Sequence, residues 1–236
     1  MNSTLRTVCT LVAFATAMGV ALTAGAIDFS FVGAFSADDD VQFFTFTADG
    51  TSSVRLISYG YGGGTQSNGN VVPPGGFDTI ITVFDSTGAV VGQNDDSNLP
   101  DFPGACGAGV TNDDPITHAA HDACLDLPAL AAGDYRAALT QFDNFAVGPN
   151  LSDGFTHVGE PNFTALIGGC PNGQFCDTSL VPIPADRNRQ NAWAVDILNV
   201  EQAAEGQVPV PEPATLTLLG IGLTGLAFGR LRLRKA

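Results

Sequence analysis

The chain has 236 residues, of which 24 are acidic and 9 are basic, so its formal net charge is −15. Such an acidic surface repels nucleic acid and anionic lipid, which excludes nucleic acid as a partner. Charged residues make up only 14 % of the chain, which also holds 28 glycines and 14 prolines. This composition favours many short strands and turns over long charged helices.

Residues 1–26 have the pattern of a secretory signal peptide. Arg6 precedes an apolar run over residues 8–22, and the small residues Ala-Gly-Ala follow at 24–26. A basic start, an apolar segment and a small-x-small site together mark a cleavable leader. We expect cleavage after Ala26, with Ala24 as the alternative, and therefore an exported protein.

The body, residues 27–208, is predicted to be one domain, because a chain of this length can bury a full core. Four arginines are its only basic residues, and Glu212 is the only one of the 24 acidic residues outside it. The body's net charge is therefore −19, from 4 basic and 23 acidic residues, and it has no lysine. We expect it to meet an acidic polysaccharide only through a bridging cation.

Short runs of β-branched and aromatic residues predict strands along the body. The predicted strands are Ile27–Phe35, Val41–Thr47, Ser53–Tyr59, Phe77–Phe84, Ala89–Gln93, Leu125–Leu127, Asp134–Phe142, Phe163–Ile167 and Asn191–Val200. Residues 85–88, Asp-Ser-Thr-Gly, fit a type I turn that closes a hairpin. The glycine- and proline-rich segment 60–76 is predicted to hold no regular element, and 99–122 to be irregular. The pattern predicts an all-β fold, an antiparallel β-sandwich.

Four cysteines remain after Cys9 is lost with the leader. An even number in an exported chain predicts disulfides, and four cysteines allow three pairings. We favour the local pairing, Cys106 with Cys124 and Cys170 with Cys176, because each pair brackets a segment rich in glycine, proline and aspartate.

Clustered aspartates raise the question of calcium, which prefers six to eight oxygen ligands. The residues Asn94-Asp95-Asp96 follow the hairpin, and Asp78 lies in another turn. No continuous calcium-binding loop is present, so a site would be assembled from Asp78, Asn94, Asp95 and Asp96. The alternative is that these aspartates only cap backbone amides in turns.

Other residues raise three further questions, about zinc, sugar binding and catalysis. His118, His121, Cys124 and Cys106 offer zinc-type ligands, but their spacing fits no common zinc module and an oxidising compartment competes for the thiols. Tyr59 and Tyr61 would stack on sugar rings in a carbohydrate-binding module, or else pack on the sandwich. No linear hydrolase or phosphate-binding motif is present. We therefore expect no enzyme, with a two-carboxylate glycosidase as the remaining catalytic alternative.

The last 28 residues, 209–236, read as a sorting tail with three parts. Pro211-Glu212-Pro213 comes first, and the uncharged segment Ala214 to Gly229 follows. As a helix, that segment would span about 24 Å, close to the thickness of a bilayer core. Four basic residues follow it, and such charge stays on the cytoplasmic side, so the body should lie outside. These basic residues are Arg230, Arg232, Arg234 and Lys235.

This three-part order resembles the PEP-CTERM sorting signal of Gram-negative bacteria. The resemblance implies that a membrane protease-transpeptidase, exosortase, recognises Pro211-Glu212-Pro213 and removes the tail. It implies passage through the secretion machinery, a transient stay in the inner membrane, and release to the cell surface or extracellular matrix. Exopolysaccharide is then an expected partner.

The body carries a second resemblance. Residues 75–78, Gly-Gly-Phe-Asp, with 84–88, 94–96 and 133–135 look like a group of secreted bacterial domains marked by a Gly-Gly-Phe-Asp-Pro motif. Thr79 stands where the group usually has proline. The group is similar to pre-peptidase C-terminal domains, which implies a jelly-roll-like β-sandwich. Some relatives bind calcium, which implies calcium as a candidate cofactor.

Together these features predict a non-catalytic structural or adhesive protein of the cell surface or matrix. The alternatives are a calcium-assisted carbohydrate-binding module and, after it, a secreted glycoside hydrolase.

Overall fold

A computed structural model describes residues 25–97, 104–107, 109–128, 130–170, 173–177 and 188–206. The predicted signal peptide and sorting tail lie almost wholly outside these residues, and so does the expected membrane helix. Within the described ranges, no helix is long and apolar enough to cross a membrane.

The body is an antiparallel β-sandwich of two main sheets, as predicted. One sheet has the strand order β1-β10-β3-β8 and the other β11-β2-β9-β6-β7. In chain order the strands are β1 (Ile27–Ala34), β2 (Gln42–Ala48), β3 (Val54–Ser58), β4 (Gly64–Thr65), β5 (Val71–Val72), β6 (Thr79–Phe84), β7 (Val90–Asn94), β8 (Cys124–Leu127), β9 (Gly133–Gln141), β10 (Ala192–Val200) and β11 (Gln202–Gly206). A short helix, α1 (Phe163–Gly168), lies between β9 and β10.

The core lies between the two sheets and follows the strand periodicity. In β2, Phe44 and Phe46 point inward and are buried, whereas Thr45 between them is exposed. Facing them from the other sheet, Trp193 packs edge-on against Phe44 with ring centroids 5.7 Å apart. Aromatic pairs of this geometry add about 0.5–1.5 kcal/mol beyond their buried area.

Three local predictions need correction. The predicted strand Phe163–Ile167 is wrong, because these residues form α1, which ends where Gly169 adopts a left-handed φ of 70°. A short apolar run cannot be assigned to strand or helix by periodicity alone. The loop over 60–76 does contain a small hairpin, β4–β5. Strand β11 was not predicted, since its sequence Gln-Ala-Ala-Glu-Gly has no β-branched residue.

Both disulfides of the favoured local pairing are present. Cys106 bonds to Cys124 at the start of β8, and Cys170 bonds to Cys176 after α1. The first closes a sequence separation of 18 residues, for which the chain-entropy model gives about 3 kcal/mol of stabilisation. The thiols therefore do not form the zinc set that the sequence allowed.

The strand pairing defines two ends of the sandwich. Thr79 at the start of β6 lies opposite Gln141 at the end of β9, and β7 ends beside them at Asn94. We call this the acidic end, for the residues described next. At the opposite end, β2 finishes at Ala48 beside Gly133, where β9 begins.

Candidate metal centre

An acidic cluster, which we define as Asp78, Asp95, Asp96 and His121, lies at the acidic end. Asp78 precedes β6, and Asp95 and Asp96 follow β7, so the antiparallel pairing of these strands brings the carboxylates together. His121 lies three residues before β8, which is a strand of the other sheet. Its carbonyl accepts a hydrogen bond from Thr79 N at 3.4 Å, which holds the histidine against the start of β6.

The histidine joins two of the carboxylates. His121 Nδ1 lies 2.9 Å from Asp96 Oδ1 and 3.0 Å from Asp96 Oδ2. Asp78 Oδ2 is 3.9 Å from the same nitrogen. One ligand atom from each of these three residues fits within 4.8 Å of the others, a spacing that suits one metal ion.

Several polar atoms here have no hydrogen-bond partner among the described residues. They include Asp78 Oδ1, Asp95 Oδ1 and, on the adjoining strand β9, Gln141 Oε1. The three residues are 8 %, 6 % and 1 % exposed. Leaving such groups buried and unpaired costs about 1–3 kcal/mol each, and more when they are charged.

The burial of these acids also changes their titration. Burial raises the pKa of Asp78 well above its usual range, and the charges of Asp95 and Asp96 raise it further. Burial, with the charge of Asp96, raises the pKa of Asp95 to about 8. Burial lowers the pKa of His121, but the hydrogen bond and charge of Asp96 outweigh this, and its pKa is raised. The cluster thus has too little positive charge for its carboxylates.

Asn94, predicted as a ligand, has another role. Its side-chain Oδ1 accepts a hydrogen bond from Cys124 N at 2.8 Å, and its Nδ2 donates to the carbonyl of Asp96 at 3.2 Å. The first bond joins the two sheets beside the Cys106–Cys124 disulfide, and the second fixes the backbone of the cluster. Asn94 therefore positions the acids, whereas Asp78, Asp95 and Asp96 are brought together as predicted.

A neighbouring network satisfies its own charges. Asp122 accepts hydrogen bonds from Tyr61 N, Gly62 N and Ser58 Oγ at 2.7–3.0 Å. Burial still raises the pKa of Asp122, to about 6, against the effect of these donors. This carboxylate therefore fixes the 60–62 turn beside the cluster.

Among the described residues, a buried ion pair lies next to this network. Arg189 Nη2 donates to Asp114 Oδ2 at 3.1 Å, and both side chains are buried. The guanidinium also lies 3.9 Å from the centre of the Tyr61 ring, and Tyr61 Oη donates to Asp177 at 2.8 Å. These groups frame the acidic cluster without neutralising it.

The two tyrosines weighed for sugar stacking are not free to stack. Tyr61 is fully buried, and its ring packs edge-on against His121 with centroids 4.8 Å apart. Tyr59 is partly buried and donates its hydroxyl proton to Asp196 at 3.0 Å. The packing interpretation is therefore the better one for both.

Sequence reasoning did not find His121 as a partner of the acids, nor Gln141. His121 lies 25 residues from Asp96 along the chain, and its only sequence signal was its spacing from Cys124. Gln141 follows a run of small and apolar residues, and only the strand register shows that it lies opposite Thr79.

A groove of about 1400 Å³ follows the outer face of the five-stranded sheet. Its floor includes Thr45 and Arg136, and Tyr135 lies at its margin. The turn at 85–88 and the segment 150–155 form one wall. It is open to solvent.

Comparison with protein-family models gives a match at the end of the chain. Residues 209–235 match the PEP-CTERM protein-sorting motif. The matched residues cover the Pro-Glu-Pro sequence, the apolar segment and the basic end recognised above. No curated protein matches the chain.

Proposed function

This chain is a PEP-CTERM protein, exported and targeted to exosortase for sorting to the cell surface, and from that premise we propose a structural or adhesive role for its body. The body acts without catalysis in an exopolysaccharide-associated envelope or matrix. The match at residues 209–235 is the observation that carries the proposal.

The chemistry of the body supports an extracellular role. Its two disulfides suit an oxidising compartment and are rare in a reducing one. Two of its arginines are already paired, Arg55 with Asp126 and Arg189 with Asp114. An acidic, lysine-free surface would join acidic polysaccharide through divalent cations, which are plentiful outside the cell.

Sorting is tested by changing the motif in the living cell. Replacing Pro211-Glu212-Pro213 with three alanines should leave the full-length chain in the inner membrane, because exosortase no longer recognises it. A matched control replaces Pro209 with alanine. The proposal fails if the triple variant is released as the unchanged protein is.

The structural role is tested separately. Deleting the gene should weaken matrix cohesion or surface attachment while leaving the amount of secreted polysaccharide unchanged. Adding back the chain should restore cohesion, and the triple-alanine variant should not. Loss of a hydrolytic activity on the host's polysaccharide, with cohesion intact, would instead favour the glycoside hydrolase.

A second candidate is a calcium-assisted carbohydrate-binding module, favoured by the groove beside Arg136 rather than by the tyrosines first considered. A guanidinium on the groove floor offers hydrogen bonds and charge to an acidic sugar. Isolated matrix polysaccharide should then bind the protein, and Arg136→Ala should weaken binding. Tyr59→Ala is the control and should bind as the unchanged protein does, since Tyr59 lies outside the groove.

A further inference from the structure

We propose that the acidic cluster is a divalent-cation site that takes calcium, with carboxylate ligands from Asp78, Asp95 and Asp96. The proposal concerns the body alone, so it stands or falls independently of the role at the cell surface.

Two of the three proposed ligands, Asp78 and Asp96, are already gathered beside His121, and Asp95 is next to Asp96 in the chain. Asp78, Asp96 and His121 each present one ligand atom within 4.8 Å of the other two. They come from three separate segments, before β6, after β7 and before β8. Strand pairing and the Thr79–His121 backbone hydrogen bond hold those segments in place, so a cation would meet a preformed site.

The unpartnered oxygens are the second observation. Asp78 Oδ1 and Asp95 Oδ1 are buried with no hydrogen-bond partner among the described residues, and so is Gln141 Oε1. Turn aspartates that merely cap backbone amides would have their oxygens engaged. A cation is the kind of partner that the buried carboxylate oxygens lack, because calcium takes six to eight oxygen ligands from carboxylates and amides.

Within the described part of the chain, no arginine neutralises the carboxylates of the acidic cluster. Arg189 is committed to Asp114, and Arg55 is bonded to Asp126. Arg136 pairs across from Phe84, at the far end of β6 from Asp78. His121 alone faces the cluster, with one positive charge at most against three carboxylates.

The donor set favours calcium over zinc. Zinc prefers thiolate and imidazole in four-coordinate sites, and the nearby cysteines are consumed in a disulfide. His121 Nδ1 bridges both oxygens of Asp96 at 2.9 and 3.0 Å, which assigns it to positioning that carboxylate. Neighbours of this kind orient metal ligands.

A bound cation would join the two sheets at one end. Asp78 and Asp96 belong to the five-stranded sheet through β6 and β7, whereas His121 leads into β8 of the other sheet. The Cys106–Cys124 disulfide and the Asn94–Cys124 hydrogen bond lie beside it. Calcium would therefore make this end of an extracellular protein rigid where calcium is abundant.

The test uses the exported protein, purified without reductant and treated with a chelator. Calorimetric titration with calcium should show one site, with a dissociation constant of about 10⁻⁴–10⁻³ M, as in other extracellular modules. The melting temperature should rise with calcium, because the cation binds only the folded state. Asp96→Asn and Asp78→Asn keep the side-chain shape and should each weaken binding at least about tenfold.

Asp134→Asn is the matched control, since Asp134 is an exposed acid at the opposite end, bonded to Thr47. It should bind calcium as the unchanged protein does. If Asp96→Asn does not fold, Asp95→Asn replaces it, and circular dichroism confirms the fold of each variant.

Three results would overturn the proposal. The first is the absence of both heat and a rise in melting temperature at millimolar calcium. The second is a calcium response that survives in Asp78→Asn and Asp96→Asn. The third is binding of zinc but not calcium, abolished by His121→Gln, which would make the histidine a ligand and the cation zinc.

Discussion

Aspartates lie at both ends of the sandwich, in contrasting surroundings. At the opposite end, Asp49 accepts hydrogen bonds from the amides of Thr51 and Ser52, and these bonds hold its pKa below the usual range. Asp85 behaves alike in the hairpin turn, where its pKa is lowered by Thr87 and the amide of Ala89. At the acidic end, burial raises the pKa of Asp78 and Asp95 instead.

The difference teaches that the number of donors around a carboxylate, rather than its place in a turn, separates the aspartates that cap backbone amides from those of the acidic cluster. The exposed turn aspartates accept hydrogen bonds from backbone amides, and these bonds stabilise the charged form of the carboxylate. Asp78 and Asp95 are buried and retain oxygens without partners in the described structure. The two ends therefore offer matched residues whose substitution should have different effects.

The largest effect is expected from the two Arg–Asp pairs. Arg189→Gln should lower the free energy of unfolding by about 3–5 kcal/mol, because it leaves Asp114 buried without its partner. Arg55→Gln at the other end should cost only about 0–1 kcal/mol, since its pair with Asp126 is partly exposed. Denaturant unfolding of both variants measures the difference. Equal losses would show that the two ends do not differ in burial as described.

The disulfides come next. Replacing Cys106 and Cys124 with serine should cost about 3 kcal/mol, and replacing Cys170 and Cys176 about 2 kcal/mol, because the second pair closes a shorter loop. Unfolding in denaturant compares the two double variants. A larger loss from the second pair would contradict the ranking by loop length.

A pH effect should follow from Asp114. Burial raises the pKa of Asp114, but the hydrogen bonds of Thr117 N and Arg189 and the charge of Arg189 outweigh this, and the pKa lies below its usual value. A lowered folded-state pKa stabilises the protein above the unfolded-state pKa, and this contribution is lost as pH falls through the folded-state value. Stability should thus decline in acid, and Asp114→Asn should flatten that decline. An unchanged acid limb in the variant would contradict the assignment.

The smallest effect is expected from Asp85→Ala in the exposed hairpin turn. In the variant, water can accept the hydrogen bonds that the amides of Thr87 and Ala89 donate to Asp85, so the melting temperature should fall only slightly. The rise in melting temperature with calcium should be the same in this variant as in the unchanged protein. A loss of calcium response here would mean that the cation binds at the opposite end.

The sequence predicted most of the fold because the strands of the core have strong periodic signals. Phe44 and Phe46 flank the exposed Thr45 in β2. In β10, Trp193, Val195 and Ile197 join the same core from every second position, although the residues between them are buried as well. The signal failed for α1 and β11, where tertiary contacts rather than local propensity decide the structure. Strand β11 forms because it adds to the edge of β2.

The candidate site was predicted in part. Asp78, Asp95 and Asp96 were named from their places beside predicted strands, and the structure brings them to one end. His121 was named only as a zinc-type ligand and Gln141 not at all, because their places relative to Asp78 depend on which strands pair and on how the two sheets face each other. Asn94 shows what residue type alone does not reveal: its amide suits calcium, and in the structure it accepts a hydrogen bond that joins the two sheets.

The central claim is that the chain is exported, oxidised and released after recognition of its Pro-Glu-Pro sequence. The intact mass of the protein collected from the cell surface or medium, without reductant, tests it most directly. We predict a chain that begins after the leader, lacks the apolar and basic segments after Pro213, and is lighter by four hydrogens for its two disulfides. Recovery of the full 236-residue chain from the cytosol with four free thiols in its body would contradict the account.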